Sequence, residues 1–502
     1  MAVDTVLSEL ADVLDDYKLI RDCIAGQKAV KKGKDAYLPV PDPLDTSTDA
    51  TTRYTHYLTR ATFYGATGRT LRGLVGLVFD KDPAVEAPEM LAPVIADASG
   101  NGMSLDASAE ASLFEVVGLG RAGLLTDYPE TEGPTTAADA KAGNVRPTIT
   151  RYPAEAVINW RQRTVGAKTL LSLVVIREAY LIEDDGFAEQ VGTQHRVLRL
   201  TPEGIYQISI YKEDDAEPTV ITPLDGRGQY LREIPFTFIG AENNDPRVDR
   251  PPLQDIAEVN IAHYRNSADY EESVFMLGQP TPVFAGLTKA WVDEVFHSVW
   301  TDEHTGATRR ENVVRLGARG AVPLPEGGTA MLLQVEPNTL AFEAMTHKEK
   351  QMIALGAKLI ENSGTQQTAT EATLDSVLDN SVLSTCARNV SKAYKQALTW
   401  AWLFMTGDMV DDPDVLDYAL ATDFGGKLLT AQDRAEIVSA WQKNAITWEE
   451  MRWGLKRAGT AYEDDDKAKE SIEAQREEGI DFEAKAAAAL AGTVGAVKPG
   501  EE

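Results

Sequence analysis

The chain has 502 residues and carries 49 Lys and Arg against 78 Asp and Glu, a formal charge of −29. It is long enough to bury a sizeable core and too long for one, so about two to four domains are expected. Such an acidic surface repels a phosphate backbone and disfavours sequence-specific nucleic-acid binding, though not a passage through which DNA slides. Two cysteines far apart, Cys23 and Cys386, argue against a disulfide framework and against Cys-based metal sites, and read as an intracellular origin. The N-terminus is acidic where a signal peptide would be basic. The longest apolar run, Leu170 to Ile176, is far short of a membrane span.

In chain order, Val6, Leu10, Val13, Leu14, Tyr17 and Ile20 recur at helical spacing and predict a helix from Thr5 to Ile24, followed by a basic patch, Lys28 to Lys34, read as a solvated loop. After a Pro-rich connector, Arg53 to Phe79 predicts one or two helices, and Ser104 to Val117 another, feeding a strand from Gly123 to Tyr128 that Pro129 closes. Glu130 to Asn144 reads as a loop. From Arg146 to Gly240 short β-branched and aromatic runs separated by turn residues predict an antiparallel sheet, hence an α+β body.

Two long helices follow. Pro252 suits a first helical position, Asp255 and Glu258 suit the positive end of the dipole, and Gly278 with Pro280 stops a helix that would run about 40 Å. Asn338 can cap the second, in which Ala341, Met345, Lys348, Met352, Leu355 and Leu359 share a face. A short insert of strands and turns separates them, so the pattern is a stalk with a tip. The first of these helices is polar nearly all round, with His263, Tyr264, Arg265, Asn266, Asp269, Tyr270 and Glu271. Contacts to neighbouring copies and an exposed spacer are the two explanations weighed, and the first fits a ring better. Asn362 to Thr370 is small and polar and predicts a mobile loop. Glu371 to Met405 predicts a long helix broken at Gly407, Tyr418 to Phe424 a strand, and Thr430 onward a helical region with a turn near Asn444 to Thr447, ending in an acidic, Ala-rich tail.

No catalytic constellation is visible. Gly118-Leu119-Gly120-Arg121-Ala122-Gly123 matches G-x-G-x-x-G, but it lies after a helix and before a strand, the reverse of the dinucleotide-binding order, so a helix terminus and turn is the preferred reading. The six histidines have no metal-ligand spacing, and the acidic clusters read as solvated charge, so no cofactor and no metal is expected.

Several blocks together resemble a group of tailed-bacteriophage portal proteins, often catalogued as a domain of unknown function. They are Arg69-Thr70-Leu71 with Gly73-Leu74-Val75-Gly76, Gly120 to Pro129, Ile158-Asn159-Trp160-Arg161, Ile234 to Gly240 and, most specifically, Asn260 to Tyr270. The resemblance covers the chain to about Met405. It implies an α+β portal-like subunit: an α/β wing (1–250), stem helix one (251–278), a small α/β clip (279–337), stem helix two (338–361), a channel loop (362–370), a wing return (371–427) and a helical crown with an acidic tail (428–502). It further implies a homo-oligomeric ring of twelve subunits at one capsid vertex, assembled in the host cytoplasm. Double-stranded DNA would pass through without sequence specificity, and terminase, the head-tail adaptor, and the major capsid and scaffolding proteins would be partners, with no membrane involved. Under that reading Lys348, Lys350 and Lys358 are channel candidates, with Glu343, Glu349 or stem acids of a neighbouring copy as competing partners. Asn362, Thr365, Gln366, Gln367 and Thr368 are loop candidates for DNA contact. Arg309, Arg310, Arg315 and Arg319 are candidates for docking the motor or adaptor. The competing classes are another virion structural or connector protein and a phage-encoded enzyme.

Overall fold

The structure, a computed structural model, describes residues 3–129, 145–213, 215, 217–278, 281–295, 297–301, 308–312, 324–333, 339–360, 381–410, 415–422, 424, 431–443, 445–457, 461, 465 and 467–471. It is α+β and divides into two compact units: Met1–Tyr17 with Leu71–Leu253 and Gly356–Glu502, and Lys18–Thr70 with Gln254–Leu355.

The elements, in chain order, begin with α1 (Ser8–Ala11), α2 (Leu14–Ala25), α3 (Gln27–Lys32), α4 (Thr48–Arg60), α5 (Ala66–Val78), β1 (Ala84–Glu86), α6 (Ala92–Ala96), α7 (Leu105–Leu119), β2 (Arg121–Asp127) and β3 (Thr148–Pro153). There follow β4 (Val157–Val165), β5 (Lys168–Asp184), β6 (Glu189–Leu200), β7 (Tyr206–Lys212), β8 (Thr219–Ile221) and β9 (Phe236–Gly240). The long helix α8 (Gln254–Gly278) leads to β10 (Thr281–Ala285), α9 (Lys289–Val295), β11 (His297–Thr301), β12 (Thr308–Asn312) and β13 (Thr329–Leu333). The chain returns through α10 (Leu340–Lys358), α11 (Val382–Thr406), β14 (Asp417–Ala419), α12 (Ala431–Gln442) and α13 (Trp448–Arg457).

The first unit is built on two antiparallel sheets, β3-β2-β9 and β4-β5-β6-β7-β8, with β1 paired to β14. Helix α7 starts where Ser104 Oγ accepts a hydrogen bond from Ala107 N, and it stops at Gly120, which takes the left-handed conformation (φ 79°). The chain turns there directly into β2, so the G-x-G-x-x-G run is a helix C-terminus and a packing site, as the order of elements predicts. A Cβ at Gly120 would lie 3.0 Å from Asp249 O, and one at Gly123 would lie 2.6 Å from the Phe236 ring. Helix α11, capped by Ser381 and ended by left-handed Gly407, packs on α7, β2 and β9 through Val390, Ala393, Tyr394, Ala397 and Leu398.

Three of the blocks that carry the portal resemblance meet in this unit. Arg121 is fully buried, its guanidinium 3.9 Å above the Trp160 ring and 4.2 Å from that of Phe238, and Nη1 donates to Pro246 O at 2.8 Å. Burial lowers its pKa to about 10, against the pull of neighbouring Tyr17, Glu9 and Asp249. The blocks Gly120 to Pro129, Ile158 to Arg161 and Ile234 to Gly240 each supply one member of this stack.

Several boundaries differ from expectation. The first helix starts only at Ser8, because Leu7 N bonds to Ile158 O, and it is broken at Asp12–Val13. Lys28 to Lys34 is a helix, α3, and a 3-10 turn, because Val30 is buried while the lysines, good helix formers, keep their charges outward. Pro252 lies in a turn and α8 starts two residues later. The strand near Tyr418 is only Asp417–Ala419, and β4 and β8 were not anticipated. Helix α11 begins at Val382, while 371–380 and the expected cap Asn338 lie outside the described residues.

Candidate functional site

In the second unit the two long helices run antiparallel. His263 Nε2 on α8 lies 3.3 Å from Glu349 Oε1 on α10, and the Tyr270 ring lies 6.1 Å from that of Phe342. Seven residues forward on one helix match seven back on the other, about 10 Å of shared axis. Beyond them β10 pairs with β13, Thr281 opposite Leu333 and Ala285 opposite Thr329, so the insert leaves and re-enters through adjacent strands. Inside it β11 and β12 form a second hairpin. Helix out, closed β tip and helix back are therefore present as the sequence predicts.

Part of the polar run on α8 has partners that neither alternative weighed from sequence included. Several polar groups of α8 are bonded within the unit to the segment Lys18–Thr70. Asn260, fully buried, donates from Nδ2 to Tyr64 O (2.6 Å), and its Oδ1 accepts from Thr67 N (3.2 Å) and Thr67 Oγ1 (2.9 Å). Arg265 Nε donates to Tyr37 O at 2.8 Å, and Ser267 Oγ accepts from Thr62 N at 3.2 Å. Tyr57 donates to Asp269 at 2.6 Å, and burial, with this bond added, raises the phenol pKa; Arg60 pairs with Glu272 while stacking on Phe275. The pairs 57–269 and 60–272 advance together, so α4 runs parallel to α8.

The apolar members of the run fill the space between. Tyr264 is buried edge-on to Phe63, which pushes its hydroxyl up to about 12. His263 packs against Tyr64, and burial lowers its pKa despite Glu349, with Lys348 adding to the lowering. A cleft of about 530 Å³ opens beside this face, lined among others by Pro39, Pro41, Tyr54, Tyr57 and Arg265.

Lys348 is half-buried on α10, and Lys350 and Lys358 are exposed. The acids proposed as their local partners have other bonds: Glu349 faces His263, and Glu343 accepts from Thr339 Oγ1 at 3.1 Å. Arg309 and Arg310 stand on β12 opposite Trp300 and Val299. Arg315, Arg319, Asn362, Thr365, Gln366, Gln367 and Thr368 lie outside the described residues. Sequence reasoning missed Tyr57, Arg60 and Thr67. The available signal was the three-residue step Tyr54, Tyr57, Arg60, a helical face whose polar tips need partners.

A family model described as a domain of unknown function (DUF4055) matches residues 252–405, which takes in the antiparallel pair, its tip and α11. No curated protein matches the chain. Among solved structures, the chain is similar to one from the neck of an empty gene transfer agent particle computed with C6 symmetry: 12% identity over 84% of this chain and 98% of that one, TM-score 0.36. It is also similar to one from the virion of the native gene transfer agent particle (12%, 85% and 98%, TM-score 0.35) and one from the native neck computed with C12 symmetry (13%, 84% and 98%, TM-score 0.35).

Proposed function

We propose that this chain is a structural subunit of a phage-like virion, a portal protein whose copies form a ring at one capsid vertex. The observation that carries the reading is the antiparallel pair α8 and α10 closed by the β10–β13 tip, an arrangement that projects a small domain on a stalk. The resemblance of the Asn260 to Tyr270 block to portal proteins supports the same assignment. In this reading the ring conducts double-stranded DNA during packaging and ejection. A chain of charge −29 suits that task, because an acidic wall does not grip a polyanion carrying about one charge per 1.7 Å of axis. Lys348, Lys350 and Lys358 are then local contacts that slow sliding, and Asn362 with Thr365 to Thr368 brush the DNA backbone without reading bases. Arg309, Arg310, Arg315 and Arg319 on the tip dock an acidic face of terminase and later the head-tail adaptor.

The test is the assembly state of the purified chain. Native mass measurement and negative-stain imaging are expected to show a closed ring of twelve copies. Monomer or dimer at every salt and concentration would overturn the assignment, and an open filament would leave a connector role without a portal.

A further inference from the structure

The first unit carries two surfaces of opposite character. One is the end of the β5–β6 hairpin. Pairing with β4 reaches only to Ile176 of β5, and pairing with β7 only to Gln194 of β6, so among the described residues the ribbon beyond has no strand on either outer edge. A bare two-stranded ribbon is marginal in water, and free edges invite a partner. At its end Leu181 and Val191 form a cross-strand pair, each more than half exposed, and Phe187 at the turn is fully exposed. The turn that presents Phe187 is fixed: Asp185 Oδ1 accepts from Phe187 N (2.8 Å) and Ala188 N (2.6 Å), Asp184 Oδ1 accepts from Gly186 N (2.7 Å), and Gly186 has φ 85°. Around the ring stand Glu183, Asp184, Asp185 and Glu189, with no Lys or Arg between Arg177 and Arg196.

The other surface is a groove of about 370 Å³ along α11, where Arg388, Lys392 and Lys395 face one way at helical spacing over a floor of Tyr418, Ala419 and Leu420. Lys395 pairs with Asp417 at 3.0 Å. Arg388 donates to Thr385 Oγ1 at 3.4 Å, and among the described residues neither it nor Lys392 has a carboxylate partner. Cations clustered over an apolar floor are a local reversal in a chain of charge −29.

We infer that the acidic, Phe187-tipped hairpin of one copy docks in the Arg388–Lys392–Lys395 groove of the next copy. The occupant is a second copy because the two surfaces complement each other in charge and in aromatic-to-apolar fit. Two different patches make a head-to-tail contact, the kind that closes into a ring when its rotation allows. The inference rests on the ring proposed above and names one of its contacts.

The test uses the full chain in dilution series, followed by native mass measurement and sedimentation. Phe187→Ser in the hairpin and the pair Arg388→Glu, Lys392→Glu in the groove are each expected to raise the concentration for half-assembly at least tenfold, with circular dichroism unchanged. Each variant keeps one intact surface, so a mixture of the two should form a 1:1 dimer that neither forms alone. Adding Glu183→Lys and Glu189→Lys to the groove variant reverses both charges and should recover at least half of the lost assembly. Variants that assemble at the wild-type concentration would leave the ring standing and remove this contact, as would a mixture that stays monomeric. A wild-type chain that never assembles would remove both.

Discussion

Replacing Asn260 with leucine keeps the side chain's size and deletes three hydrogen bonds at the joint between α8 and the start of α5. The change strands the buried Thr67 N and Oγ1 without their acceptor, while Tyr64 O keeps the bond it accepts from Ala66 N. An unsatisfied buried polar group costs about 1–3 kcal/mol, so the loss should be about 2–4 kcal/mol, partly offset by the added apolar contact. Each unit carries its own reporter, since Cys23 and Cys386 are both buried free thiols, one in each unit, and burial raises both to about 12. A thiol reagent therefore reaches them only when the surrounding structure opens. At about 1.4 kcal/mol per tenfold, native-state labelling of Cys23 should accelerate roughly 30- to 1000-fold. Cys386, located by peptide mapping of the same sample, should change far less. Cys23 labelling within threefold of wild type would refute the argument that this asparagine holds α8 to Lys18–Thr70.

Other outcomes are expected. Gly120→Ala imposes a side chain at φ 79° and sets a Cβ 3.0 Å from Asp249 O, so it should destabilise the first unit by about 1–3 kcal/mol and speed labelling of Cys386, whose Sγ lies 3.8 Å from Ala241 O next to the Ala241 N to Gly120 O bond. Because burial depresses the His263 pKa in the fold, the unfolded chain binds a proton more readily; this contribution to stability is complete above the ordinary histidine value and is lost as pH falls below it. Calorimetric melting of the second unit should thus fall between pH 7 and pH 5, less steeply in His263→Gln. Under the proposed docking role, reversing charge at Arg309 and Arg310 should weaken a salt-sensitive capture of terminase in a pull-down while the mass of the proposed ring stays unchanged; undiminished capture would move the docking site elsewhere.

What the sequence disclosed depended on how local the cause was. The helix from Ser104, the helix terminus and turn at Gly118 to Gly123 and the β-branched and aromatic runs of β6 and β7 are set by residues a few positions apart, and all were legible. The purpose of Asn260, Arg265 and Asp269 was not, because their partners Thr67, Tyr37 and Tyr57 stand about 190–230 residues earlier, and polarity on a helix gives no hint of which segment will satisfy it. Lys28 to Lys34 was misread for a related reason: charge density suggested a loop, while the fold uses the single buried Val30 to seat a helix. Within the candidate site the antiparallel pair and its tip were readable from length and punctuation alone, since Gly278 and Pro280 mark the end of α8. The contact between Arg121, Trp160 and Phe238 joins three separated blocks and could be anticipated only as a resemblance.

The interleaving of the two units along the chain has a consequence for how the protein is made. Lys18–Thr70 leaves the ribosome well before Gln254–Leu355, which completes its unit, and the intervening stretch of roughly 180 residues takes about 10–40 s to synthesise at about 5–20 residues per second. The first unit waits longer still for α11, whose inner face supplies Val390, Tyr394 and Leu398 to a core begun by α7. Neither unit can close by itself during elongation, so both finish late and nearly together. A nascent chain stopped short of Leu355 would expose two unfinished cores at once, and one stopped between there and Thr406 would still expose the first, which makes premature termination and slow elongation the events most apt to send this protein to chaperones or into aggregates.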